Sequence, residues 1–166
     1  MTSTHEPMAL QPLTIASVRP MVPHEGQACE DVMRALPDWF GIESSIVEYR
    51  QALESMETYV ACDHERVVGF IAIEEHNQFS SEIHVIAVRP DYRNMGHGRV
   101  LVHYAEQLLI SRSMTYFHVK TLGSSHPSPH YAETRKFYHS LGFRPLEENA
   151  LWGEYNPCLM MVKCIG

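Results

Sequence analysis

An arginine and two glycines, Arg93-x-x-Gly96-x-Gly98, stand where an apolar run gives way to helical periodicity. The run covers residues 83–88 with only His84 polar, and it ends at Arg89 and Pro90 before a short polar turn over 91–94. Glycine at 96 and 98 removes side chains where backbone must approach a guest, and it tolerates positive φ. Backbone N–H groups from about Asn94 to Arg99, through Met95 and His97, then converge on a helix N-terminus whose dipole favours negative charge. Phosphate is the natural guest, and Arg93 and Arg99 supply positive charge for it.

Proton-transfer groups flank this stretch. Glu82 opens the central strand, and beside apolar neighbours its pKa is expected to rise toward the working range of a general base, acting through water. The competing reading is a strand-edge carboxylate facing solvent. His84, two residues on and so on the same strand face, either joins a proton relay or only shapes a pocket. Tyr138 lies on an amphipathic helix, where a phenol is either core or a proton donor.

Two familiar phosphate motifs fail on inspection. A dinucleotide fingerprint needs a third glycine near position 101, where Leu101 stands, and an acid ending the next strand, which residues 116–122 do not offer. The Gly-Lys-Ser/Thr of a P-loop is absent as well. His126 and His130 are four apart, but Pro127 and Pro129 between them exclude ligation from successive helical turns, so no metal is expected.

With Arg93-x-x-Gly96-x-Gly98 and, downstream, Phe137-Tyr138-His139-Ser140-Leu141-Gly142-Phe143, the chain resembles the GCN5-related N-acetyltransferase (GNAT) superfamily. The first element is similar to that family's Q/R-x-x-G-x-G/A signature, the second to its F-Y-x-x-x-G-F element. The resemblance implies acetyl-CoA as cosubstrate, its pyrophosphate wrapped by the glycine loop and its pantetheine arm bonded by the backbone of Ile86, Ala87 and Val88. It implies that two parallel strands, ending near Val88 and Thr121, splay apart to admit that arm. It also implies Glu82 as the base and Tyr138 as the acid that protonates the CoA sulfur. Many members carry Asn seven residues before this tyrosine; Tyr131 stands there, so Tyr131 or His130 takes over that contact, with Phe137 alongside. The implied fold is an α/β (α+β) domain: a mixed, mostly antiparallel sheet of roughly six to seven strands with a splayed parallel pair, flanked by about four helices. The partner is an amine on a small molecule or peptide. The rival reading is an acyl-CoA-binding module without turnover, and monomer and homodimer both remain open.

The elements that must position these residues follow from periodicity. Residues 1–10 read as a frayed terminus and 13–18 as a first strand stopped by Pro20. Helices are expected over 22–36 and 43–55, the second capped by Ser44 or Ser45 with Glu48 completing a capping box. Strands are expected over 58–62 and 66–74 around the turn Asp63-His64-Glu65, then the central strand to Val88 and a helix over about 96–112. That helix should bury Val100, Leu101, Tyr104, Leu108 and Leu109. A strand over 116–122 lies parallel to the central one because a helix crosses between them. A loop, GSSHPSPH, leads to a helix over 131–141 ended by Gly142, and strands over 143–146 and 158–164 close the chain. Trp39 and Phe40, in a Pro- and Gly-flanked loop, are core plugs or acceptor-pocket walls; His126 and Trp152 border the same pocket.

Bulk properties set the frame. The 166 residues suit one domain burying roughly 70% of its unfolded surface. A formal net charge of -7 argues against a nucleic-acid backbone as partner. No apolar run approaches membrane-spanning length, and the first ten residues have no basic n-region or long apolar segment, so neither a membrane span nor a signal peptide is expected. Cys29, Cys62, Cys158 and Cys164 show no CxxC spacing and are expected as free buried thiols in a reducing cytoplasm.

Overall fold

Residues 67–73 are apolar without interruption because the strand they form is covered on both faces. That strand, β3 (Arg66–Asn77), lies inside a seven-stranded sheet of order β1-β2-β3-β4-β5-β7-β6 in the computed structural model, which describes residues 16–166. The other strands are β1 (Ser17–Pro20), β2 (Glu57–Asp63), β4 (Ser80–Val88), β5 (Tyr116–Leu122), β6 (Arg144–Asn149) and β7 (Cys158–Cys164). All neighbours are antiparallel except β4 and β5, which run parallel across the helix between them. Residues 1–10, expected to fray, and the first residues of the expected opening strand lie outside the described residues. The strand itself includes Pro20, which an edge position tolerates.

Two cores form, one on each sheet face. On the first, α1 (Gly26–Arg34) and α2 (Glu43–Ser55) press Val32, Met33, Ile46 and Leu53 against Val60, Phe70, Ala72, Val85 and Ala87. On the second, α3 (His97–Ser111) and α4 (Pro129–Ser140) pack Leu101, Ala105, Leu109 and Tyr138 against Ile71, Ile73, Ile83, Phe117 and Val119. The buried line of α3 is Leu101, Val102, Ala105 and Leu109; Val100, Tyr104 and Leu108 are half-buried flanks, Tyr104 turned onto the Tyr59 ring. The buried face is thus turned from the expected stripe toward Val102 and Ala105.

β4 carries an unpaired residue. Ala72 pairs with Val85 and Ile73 with Ile83, which leaves His84 bulged between them. The bulge switches the alternation, so Ile83 faces the second core while Val85 and Ala87 face the first. A second irregularity pairs Glu75 with Ser81 and Asn77 with Ser80, leaving His76 unpaired on β3.

Helix ends differ from the sequence expectation for local reasons. A 3-10 turn over Pro23–Glu25 precedes α1, so the helix starts later than Val22 and ends before Leu36. The N-cap of α2 is Ile42, without a side-chain cap bond, rather than Ser44 or Ser45. Glu43, clamped by Arg34 at 2.7 Å, supplies the favourable negative charge in the first turn instead. Ser128 caps α4, accepting from the Tyr131 amide, with Pro129 at the first helical position.

Glu25 ties β1 to α1. Arg19 donates to both of its carboxylate oxygens at 2.9 and 2.5 Å, and the Val22 amide donates at 2.9 Å. The Arg19 hydrogen bond holds the Glu25 carboxyl below its ordinary range despite burial. A depressed folded-state pKa contributes stability above the unfolded value of about 4.3 and loses it as pH falls through the folded value. Glu25→Gln should cost about 1–2 kcal/mol at pH 7, reduced from the buried limit because Arg19 is partly solvated. Urea denaturation at pH 7 and near pH 3 checks this: the gap between wild type and variant should close at the lower pH.

Candidate functional site

A cavity of about 830 Å³ opens where β4 and β5 separate. Their pairing ends at Ile83 opposite Val119, after which β4 continues to Val88 and β5 to Leu122 without meeting. Backbone groups of β4 beyond Ile83 therefore face the opening on that side, where an elongated polar ligand could satisfy them. Ile86, Ala87 and Val88 line it.

At the end of the opening the chain turns through Asn94 (φ 59°) and Gly96 (φ 90°), both left-handed, into α3. Val100 is the first amide taken up by the helix, bonding the Gly96 carbonyl at 3.0 Å. The amides of His97, Gly98 and Arg99 have no intrahelical partner and mark the positive end of the helix. Gly98 is bare for a second reason: a Cβ there would stand 3.1 Å from Phe137 of α4. Arg93, Asn94, Gly96, Gly98 and Arg99 all line the cavity, with Phe137 and Tyr131 across from them.

Met95 is 39% exposed and does not line the cavity. The His97 ring is packed inward beside Tyr92, its Nδ1 buried without a partner among the described residues, so its contribution is its backbone. Arg93 stacks its guanidinium 4.5 Å above the Trp39 ring, which bridges the glycine loop to the loop between α1 and α2. Arg99 reaches Ser140 at 3.2 Å.

Ionisable side chains gather at the other end of the split. Glu82 is 6% exposed, and its Oε2 accepts from His76 Nε2 at 2.7 Å and Lys120 Nζ at 2.8 Å. Burial alone would raise this carboxyl, but the hydrogen bonds from Lys120 and His76, with the Lys120 charge, outweigh it and hold the pKa below the ordinary value. The expectation of a raised Glu82 is thus overturned: its immediate neighbours are cations and donors rather than apolar side chains. His118 stacks on His76 with centroids 5.2 Å apart, and burial, the leading cause, lowers its pKa. His84, at its bulge, faces Glu74 at 3.8 Å and the Tyr49 ring at 5.7 Å.

His76, Glu82 and His118 bring three donor atoms within 4.8 Å of one another. The Lys120 ammonium already occupies Glu82 Oε2, and its charge opposes a metal cation at the same place. Tyr138 also lies in the cavity wall, its ring held against Phe137 and Phe143. Burial pushes its phenol well above the ordinary value, so the hydroxyl stays protonated.

Trp39 and Phe40 line the cavity while packing on the first core, so the two readings of them merge. Trp39 Nε1 donates to Thr134 Oγ1 at 3.0 Å, and the Tyr131 hydroxyl donates to the Trp39 carbonyl at 3.4 Å. Trp152 and Leu151 complete that wall from the loop between β6 and β7. His126 does not reach the cavity; its Nδ1 accepts from the Ser128 amide in the turn before α4. Cys29, Cys62 and Cys158 are buried, whereas Cys164 is exposed on the last strand, contrary to expectation. No helix among the described residues is long and apolar enough to cross a membrane.

Sequence reading missed His76, His118, Lys120 and Tyr49. The signal for two of them was present: His118 and Lys120 alternate with Phe117 and Val119 on a strand expected beside Glu82.

The family model described as an acetyltransferase (GNAT) domain matches residues 54–145. An uncharacterized N-acetyltransferase of Chlorobaculum tepidum is 26% identical over 117 residues, covering 68% of each chain. Among solved structures, a GNAT-family protein from Desulfovibrio desulfuricans superposes with a TM-score of 0.81 at 15% identity, covering 91% of this chain and 99% of that one. The ribosomal-protein-S18-alanine N-acetyltransferase from Escherichia coli gives 0.74 at 16% identity, with 92% and 95% covered. An aminoglycoside 6'-N-acetyltransferase complexed with coenzyme A gives 0.72 at 20% identity, with 90% and 97% covered.

Proposed function

Since the chain belongs to the GNAT acetyltransferase family, we propose that it moves the acetyl group of acetyl-CoA to a primary amine of a small molecule or peptide by direct attack on the thioester. The observation that carries this reading is the continuity of the β4–β5 split with the left-handed glycine turn, so that one groove offers unpaired strand backbone and then helix amides. A pantetheine amide suits the first and a pyrophosphate the second. The bound coenzyme A of the aminoglycoside acetyltransferase neighbour agrees in kind.

Within this reading the chain acts mainly by positioning amine and thioester together. Backbone N–H near Val88 polarises the thioester carbonyl, and Tyr138 donates to the departing sulfur. An alkylamine near pKa 10.4 must lose a proton before attack, and Glu82 with its hydrogen-bonded partners is the assembly that draws it away, through water. Trp39, Phe40 and Trp152 give the acceptor an aromatic wall, and the acidity of the chain favours a cationic acceptor over nucleic acid.

Purified protein incubated with acetyl-CoA and a panel of primary amines and peptide N-termini should release free CoA, read by thiol detection, with at least one class of acceptor. Binding of acetyl-CoA with no CoA release across the panel would instead mark an acyl-CoA-binding module without turnover.

A further inference from the structure

Glu82 accepts two hydrogen bonds at one oxygen, one of them from an ammonium. An ionised carboxylate so stabilised is a weak proton acceptor. The same geometry prepares its neighbour. An ionised carboxylate can only accept, so the His76 Nε2 that faces it carries a hydrogen, and in the neutral ring Nδ1 keeps the lone pair. Both side chains line the cavity, His76 with 35% of its side chain exposed and Glu82 with only 8%. The β3 bulge leaves His76 outside the strand pairing, and the stacked His118 ring fixes its plane.

We propose that His76 is the side chain that takes the proton from the acceptor ammonium, and that Glu82 is a positioning residue acting through it. This rests on the acetyltransferase reading and assigns its proton acceptor to one atom, Nδ1 of His76. The acceptor R–NH3+ passes one proton through water to Nδ1, leaving R–NH2 with its lone pair. Nitrogen bonds to the acetyl carbon as the carbon–sulfur bond breaks. The second nitrogen proton passes by way of Tyr138 to the sulfur, and the His76 proton leaves to solvent. The imidazolium formed meanwhile lies against the Glu82 carboxylate, as in other carboxylate–histidine pairs.

The charged and titratable groups around His76 come from three strands and one helix. Glu74 shares its strand, Glu82 and His84 are on β4, and His118 and Lys120 are on β5. Tyr49 of α2 closes the far side against His84. His118, kept neutral by burial, spares the imidazolium a second positive ring. Lys120 keeps Glu82 ionised through the cycle.

The test is the pH dependence of kcat/KM for wild type, His76→Gln and Glu82→Gln, with acetyl-CoA affinity measured alongside. His76→Gln should leave acetyl-CoA affinity unchanged, lower kcat/KM by about 10²-fold near pH 7, and erase the acidic limb of the profile. Glu82→Gln should keep that limb while lowering kcat/KM, because the His76 ring loses the carboxylate that orients its Nε2. An acidic limb that persists in His76→Gln and vanishes in Glu82→Gln overturns the proposal in favour of the carboxylate itself. Wild-type protein that binds acetyl-CoA but acetylates no amine overturns the parent reading, and this assignment with it; an active wild type with an unaltered His76→Gln profile overturns this assignment alone.

Discussion

Gly98→Val is expected to abolish acetyl-CoA binding at concentrations that saturate the wild-type protein. The Cβ alone would stand 3.1 and 3.2 Å from two ring carbons of Phe137, tighter than most packed contacts, and valine adds two methyl groups beyond it. Phe137 must shift to make room for the branched side chain, or the first turn of α3 must retreat. Either movement takes the amides of His97, Gly98 and Arg99 away from the anion. Two charge-assisted hydrogen bonds lost at about 1.5–3 kcal/mol each amount to roughly 10²- to 10⁴-fold in affinity. The fold should survive, because α3 is anchored further along by Leu101, Ala105 and Leu109, all fully buried. Calorimetric titration beside a thermal melt reads both quantities; wild-type affinity in a folded variant would remove the pyrophosphate from this turn.

Tyr138→Phe should lower kcat by about 10²-fold, the usual contribution of a positioned proton donor, with acetyl-CoA affinity nearly unchanged. Phenylalanine keeps the ring contacts with Phe137 and Phe143, so the variant should melt close to wild type. The pH signature follows from burial. Because the phenol pKa is raised, the hydroxyl is protonated across the whole working range, and its removal should depress the rate evenly at every pH. Both limbs of the profile should stay where they are. Full turnover in the variant would end the case for Tyr138 as the acid.

What the sequence carried, it carried through local chemistry. The glycine turn was legible because Gly96 must adopt a left-handed φ and Gly98 must lack a side chain, demands written into residue type. The span of α2 and the closing strand Cys158–Cys164 followed from periodicity alone. The splay of β4 from β5 came from the family resemblance, since nothing in residues 84–88 encodes it. The surroundings of Glu82 were hidden for a different reason. Its partners, His76 and Lys120, lie 6 and 38 residues away and meet it only through strand register. A carboxylate read against the apolar run that follows it, Ile83 to Val88, looked apolar in setting and received the wrong sign of pKa shift. The inward His97 was invisible likewise, because helix N-terminal side chains divide between inside and outside according to tertiary packing.

The bulge at His84 has a consequence that concerns counting rather than chemistry. A pleated strand is a parity device: each residue's face is fixed by whether its distance from a reference is odd or even. One extra residue flips that parity for everything after it, which is how Glu82 and Ala87, five apart, come to serve the same side of the sheet. Deleting a single residue there would leave every side chain in β4 chemically intact yet force a choice. Either Ala87 and Val85 keep the first core and Glu82 rotates away from His76 and Lys120, or Glu82 stays and the core residues turn outward. The face that Glu82 shares with Ala87 is thus held by an odd number.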